Sequence, residues 1–293
     1  DLADAAMRRQ GEEEASIEDV TMHFEALVQD VTFSKEKPDF ALSFRMPQAR
    51  VTDMRTFNSY LPPDPPMRFK GGEADLSADI LLQPNDADGF VRLDSEALMS
   101  LDGEQDLKAD LGMDIRISGG TPAEMEFEFD GSKVVLDNVV VVGSEEDYEN
   151  AEWSAVLDLT RGDAVFMEPL SMQLEARLTA SDSRPIVAMF RNQHGWRPEF
   201  LAEALTVEDI EGDAELTMED NLILIPQAWL TSDNIEAGMK AEIGGAEGNN
   251  GRIYIKYKKL EALLKILNGN RNLDIIRARE KFDEYEVRLP ASQ

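Results

Sequence analysis

The chain has no cysteine among its 293 residues, which excludes disulfides, thiolate zinc sites, iron–sulfur clusters and cysteine nucleophiles. A cysteine-free chain also suits an oxidising envelope compartment. Histidine is nearly as scarce: only His23 and His194 occur. Neither has a second ligand or a nucleophile at recognisable spacing, so no His-based triad or zinc site is expected. Basic residues are few, 29 Lys and Arg against 59 Asp and Glu, and the net charge of −30 repels nucleic-acid phosphates and anionic headgroups. The whole chain is therefore neither a nucleic-acid binder nor a polybasic membrane anchor. No apolar run approaches the ~18 residues of a membrane-spanning helix. Asp1 in place of Met fits a processed or trimmed chain from which an anchor has been removed. Glycine-rich phosphate loops and the G-x-S-x-G elbow are missing as well.

What the chain does contain is alternation of apolar and polar residues, the mark of half-buried strands. Phe40, Leu42, Phe44 and Met46 alternate with polar or small residues, and Met125, Phe127 and Phe129 alternate with Glu124, Glu126 and Glu128. Val20-Met22-Phe24, Trp153-Ala155-Leu157-Leu159, Leu174-Ala176-Leu178 and Ile253-Ile255-Tyr257 follow the same rule. Turn residues fall between such runs: Gly71-Gly72, Pro84 to Gly89, Gly119-Gly120, Asp130-Gly131, Arg161-Gly162-Asp163, Gly244-Gly245 and Asn249-Asn250-Gly251. Short strands at roughly 10-residue spacing predict a meandering antiparallel fold. Lys133 to Val142 is almost wholly apolar apart from Asp137-Asn138, so it is expected to lie centrally and be covered. Gly72 to Leu76 and Gly212 to Leu216 share a glycine-acid-alanine-acid-leucine pattern, which reads as a duplicated turn feeding a strand, with chance as the alternative.

Helix is expected in few places. Pro198 to Leu205 has proline at a first helical position and an acid in the first turn. Lys259 to Leu267 carries Leu260, Leu263, Leu264 and Leu267 at helical spacing, and Asn272 is a candidate cap for a second helix through Ile275, Ile276, Arg279 and Phe282. The domain reading is a frayed segment over residues 1–16, an elongated β body over 17–258 and a helical segment over 259–293. From Arg252 to Arg288 there are ten basic and six acidic residues, a net +4. Lys258, Lys259, Lys265, Arg271, Arg277 and Arg279 are thus candidates for docking an acidic partner or headgroups, unless they only offset the acidic body. Asn85-Asp86-Ala87-Asp88-Gly89 hints at a calcium loop, but Pro84 replaces the leading acid and the closing Glu is missing, so a hairpin is the better reading. With 59 acids, carboxylate pairs arise by chance, and no catalytic residue, metal or cofactor is assigned.

Several stretches resemble AsmA-like proteins of the Gram-negative envelope. They are Trp153 to Gly162, Pro169-Leu170, Ala176-Arg177-Leu178, Asp182 to Val187, Phe57 to Pro62, Trp196 to Leu201 and Gly212 to Leu216, spread over about residues 50–257. The resemblance implies a long twisted β-sheet whose apolar face forms a groove, a periplasmic location beside the inner membrane, and phospholipid or another lipid as ligand. The chain departs from the family in its small size, its lack of an anchor and its acidity. On this reading the groove is lined by Met125, Phe127, Phe129, Leu157, Leu159, Leu174 and Leu178. Periodicity by itself leaves a curved groove and a closed sandwich both open, since any apolar sheet face must be covered by something. The competing expectation is a structural or assembly protein that meets an envelope protein partner through its apolar face and basic C-terminal segment; a carboxylate hydrolase is a weaker third.

Overall fold

The computed structural model describes residues 2–7, 17–29, 39–60, 67–101, 105–142, 148–185, 206–220, 222–244, 248–268 and 270–287. It is 76% strand, in one large open antiparallel sheet with a short C-terminal helix, as the alternation predicts. The strands are β1 Leu2–Met7, β2 Ile17–Gln29, β3 Asp39–Val51, β4 Met67–Gln83, β5 Asp86–Leu101, β6 Gln105–Ile117, β7 Gly119–Thr121, β8 Glu126–Glu128 and β9 Lys133–Val142. They continue as β10 Tyr148–Val165, β11 Ser171–Asp182, β12 Glu208–Glu219, β13 Leu222–Thr231, β14 Ile235–Ile243, β15 Asn250–Tyr257, β16 Leu260–Leu267 and β17 Asn270–Asp274. Helix α1 spans Ala278–Asp283, and a 3-10 segment spans Met54–Tyr60.

Each strand pairs with its chain neighbours from β1 to β6, and again from β9 to β17. β9 lies between β6 and β10. β8 occupies the same lane as β9, paired with β7 on one side and β10 on the other. No second sheet appears among the described residues, so the sandwich alternative is not the architecture.

Several expected turns are instead bends inside strands. Gly72 sits within β4 at φ +114°, where an added Cβ would come 2.2 Å from the Glu96 carbonyl oxygen. The register against β5 shifts beside it, between Phe69 and Gly71. Likewise, Gly162 lies inside β10 next to a shift between Leu159 and Arg161, and Gly119-Gly120 belongs to β7. Pro47 and Pro226 occupy further shifts, in β3 and β13, as expected of residues that cannot donate to the ladder. Bulges of this kind bend and twist a sheet without ending it.

The bulge in β9 explains its composition. Asn138 adopts φ +54°, where the register against β6 shifts between Lys108 and Asp110, and its amide donates to Asp110 at 2.5 Å. One extra residue changes the alternation from even to odd positions, so Val134 and Leu136 before it, and Val139 and Val141 after it, all pack in the main core. As expected, the strand is central. The Gly72 and Gly212 segments each run through a strand interior, in β4 and β12, and are not turns.

The C-terminal segment differs from the helical expectation. Lys259 to Leu267 forms the β15–β16 hairpin, with β16 in unbroken register against β15, and Asn272 lies in β17 instead of capping a helix. The leucines at helical spacing serve a strand with apolar contacts on both faces: Leu263 is buried under α1, while Leu264 pairs with Ile253 on the other face. Among the described residues of this segment, 278–283 alone are helical, entered through Arg277 in the left-handed region. At the other end, Leu2–Met7, expected to fray, pairs with β2. Pro198 to Leu205 lies outside the described residues.

Candidate functional site

Directly opposed residues in an antiparallel ladder lie on the same face. Reading across the sheet, Ala49, Leu76, Leu93, Met113, Val134, Leu157, Leu178, Gly212, Leu230, Ala237, Ile255 and Ala262 oppose one another in turn. No polar side chain interrupts this row from β3 to β16. The row on the reverse face starts Arg50, Asp75, Asp94, crosses Gly112, Val135, Val156 and Thr179, and continues through Glu211, Thr231, Glu236, Lys256 and Glu261. One face of the sheet is thus apolar across its width and the other largely charged.

Coverage of the apolar face is uneven. Along the margin formed by the starts of β4, β6 and β10 and the ends of β3, β5 and β9 it is sealed. Val51, Met54, Phe69, Ala97, Met99, Val139, Val141 and Trp153 are buried together there. The 3-10 segment helps to close it: Asn58 donates to and accepts from the Phe69 backbone at 2.7 and 2.9 Å, and Phe57 packs edge-on against Phe69. The Trp153 indole donates to the Asp182 carbonyl at 2.9 Å. From β10 onward the same face opens. Leu157, Leu230 and Ile255 remain 36, 37 and 39% exposed in the row whose Leu93 is 7% exposed.

The structure gathers six of the seven groove candidates on this face. Leu157 opposes Leu178, and Leu159 opposes Ala176. Phe127 opposes Ala164, whose other neighbour, Met172, continues the face. Gly162 is the floor of a small cluster: a Cβ there would meet Phe129, Leu159 and Leu174 at 3.1–3.5 Å. Met125 departs from expectation. It ends a 3-10 turn in the left-handed region, so β8 is only three residues long and Met125 sits at the rim. The alternation there is real but too short to make the long strand it suggests. Sequence reading missed Phe166, whose ring stacks edge-on against Phe127 and Phe129 at 5.8 and 6.4 Å, because it follows β10 within a turn and outside any alternating run.

The basic candidates do not form one surface. Lys265 and Lys281 share Asp274 at 3.1 and 2.6 Å. Arg277 pairs with Glu280, and Arg279 with Glu236 and Asp283. Arg279 also lies over the Trp229 and Tyr254 rings at 4.4 and 5.3 Å. These groups fasten α1 to the charged face of the sheet, where its Phe282 packs over Trp229 and Tyr254. A Cβ at Gly238 would stand 2.7–2.8 Å from the Trp229 and Phe282 rings, so only glycine leaves room for that stack. The aromatic residues Trp229 and Tyr254 on the polar phase of β13 and β15 were the sequence signal for this docking. Hydrogen bonds from Lys281, the Ile276 backbone and Lys265 hold the Asp274 carboxyl below the ordinary carboxylate range, and burial raises the Tyr254 phenol. Lys258 and Lys259 form the β15–β16 turn, Lys258 beside the Tyr257 ring, and Arg271 lies on edge strand β17 opposite Ile266.

Asn85 to Gly89 enters β5 from the β4–β5 hairpin, in accord with the hairpin reading. His23 is exposed on β2, and His194 lies outside the described residues. A hollow of about 1310 Å³ on the charged face is lined by acids such as Asp75, Asp94 and Asp137. Among the described residues no set of three imidazole or carboxylate groups is placed to hold a metal. Comparison with protein families, with curated proteins and with solved structures finds no match, so the functional reading rests on the geometry of the apolar face.

Proposed function

We propose that this chain binds lipid through the apolar face of its sheet, as an AsmA-like module of the periplasm, laying acyl chains across β10 to β16 and passing or holding phospholipid in the cell envelope. The observation that carries the reading is the twelve-position row from Ala49 to Ala262, which contains no polar side chain and whose Leu157, Leu230 and Ile255 are exposed. Such a surface has no hydrogen-bonding specificity, which suits a methylene chain. Each methylene taken from water contributes about 0.8 kcal/mol. Association costs on the order of 4–15 kcal/mol, so a long chain is required, and the width of the face accommodates one.

A second reading has its own observation. Leu273, Ile275 and Ile276 are closely spaced exposed apolar residues on and beyond edge strand β17, and an edge strand has unpaired backbone groups that accept a strand from another protein. This favours an assembly role with an envelope protein partner. Native mass spectrometry of gently purified protein separates the two. Bound phospholipid, at about one or more per chain, supports the lipid reading. A lipid-free chain in a stoichiometric protein complex would overturn it in favour of assembly.

A further inference from the structure

We infer that lipid reaches the apolar face over the margin formed by the β7–β8 and β10–β11 turns, and that the lipid admitted there carries no net negative charge. The inference rests on the lipid-binding reading and adds to it a place of entry and a headgroup class. Its first support is the difference between the margins of one face. The margin beside Met54 and Trp153 is sealed from β3 to β10. At the opposite margin Met125, Phe166 and Met167 are 44, 46 and 52% exposed. The two turns act as one unit, since the Phe166 N–H donates to the Met125 carbonyl at 2.9 Å. Phe166 also stacks on Phe127 and Phe129, so the exposed apolar tip is continuous with the face behind it. Exposed apolar side chains at these turn tips would shield an acyl chain crossing from the rim to the face.

The second support is charge. Among the described residues Asp86, Asp88, Glu126, Glu128 and Glu168 make no ion pair with a basic side chain, whereas Arg161 nearby is already bound to Asp163 at 2.7 Å. A hollow of about 380 Å³ at this margin, on the charged side of β8, is lined by Asp86, Glu126 and Glu128, so a headgroup resting on the edge of the sheet meets carboxylates. An anionic headgroup is repelled there. A zwitterionic one turns its ammonium toward the rim and its phosphate toward water. A second copy of the chain would bring the same carboxylates and another −30 against this margin, which disfavours self-association as its cover.

The test incubates the full chain with vesicles of phosphatidylcholine, or with vesicles of phosphatidylglycerol, and counts lipids retained per chain by native mass spectrometry. Phosphatidylcholine is expected to load about fivefold better at low salt, with the ratio approaching one near ~0.5 M salt as the rim is screened. Met167→Glu, at an exposed position, is expected to cut loading about tenfold with an unchanged melting temperature. Leu81→Glu, on the opposite face, is expected to load like the parent. Preferred loading of phosphatidylglycerol, or full loading of Met167→Glu, overturns the inference while leaving lipid binding standing. A parent chain that retains neither lipid overturns the lipid reading itself, and a basic protein recovered on the Phe166–Met167 tip would assign the margin to a protein partner.

Discussion

Asp274 illustrates what one carboxylate does at the C-terminal end of the sheet. It accepts from Lys265, from Lys281 and from the Ile276 backbone N–H at 3.0 Å, tying the end of β17 to β16 and to α1. These bonds favour the ionised form, so its folded pKa lies below that of the unfolded chain, about 3.9. A depressed pKa contributes stability that is fully present above the unfolded value and is lost as pH falls through the folded one. Asp274→Asn keeps an acceptor for Ile276 but loses the charge. The variant is therefore expected to melt below the parent at pH 7, and the gap should narrow steadily below about pH 4. Thermal melts at matched ionic strength check this. A gap that is the same at pH 7 and pH 2.5 would show that charge is not what Asp274 contributes.

At the scale of elements, alternation made most of the long strands legible, because a half-buried strand imposes a period of two on its side chains. β3, β11 and β15 could be read directly from Phe40-Leu42-Phe44-Met46, Leu174-Ala176-Leu178 and Ile253-Ile255-Tyr257. Bulges were not legible: the same glycines and asparagines that reverse a chain also relieve a crowded strand, and only the partner strand distinguishes the two. Gly72 against Glu96 and Asn138 against Asp110 are such cases. The groove candidates were found because they belong to regular strands. Phe166 and the 3-10 segment that seals the other margin were not, because their positions depend on tertiary contacts.

β16 was misread for a related reason. A strand with apolar neighbours on both faces shows no clean alternation, and four leucines spaced three and four apart then mimic a helical stripe. The two sides are not equivalent. Leu263 is fully buried against Tyr254, Ala278 and Phe282, while Leu264 is only half-buried on the apolar face. Leu263→Ala is expected to destabilise the chain by about 2–5 kcal/mol and to release α1, whereas Leu264→Ala should cost about 1 kcal/mol or less. Chemical denaturation of both variants checks the asymmetry, and equal losses would mean that α1 does not cover the strand.

For the molecule as a whole, the central issue is a sheet that is apolar on one side and carries no second sheet on that side among the described residues. Two positions in one cross-strand row separate its structural part from its proposed ligand-binding part. Leu93 lies where the face is sealed, and Leu157 lies where it is open. An arginine at Leu93 must bury a charge without a partner, which costs several kcal/mol or more, so Leu93→Arg is expected to unfold the chain or lower its melting temperature steeply. An arginine at Leu157 can extend its guanidinium from the open face into solvent while its methylenes stay on the sheet, so the fold should survive, with circular dichroism and melting close to the parent. If acyl chains lie across β10 to β16, that same guanidinium stands in their path, and co-purifying lipid should fall about tenfold or more. An unfolded Leu157→Arg would mean that the row is closed core along its whole length. A folded Leu157→Arg with undiminished lipid would place the lipid elsewhere. Only retained fold together with lost lipid fits a face whose one part holds the protein together and whose other part holds its ligand.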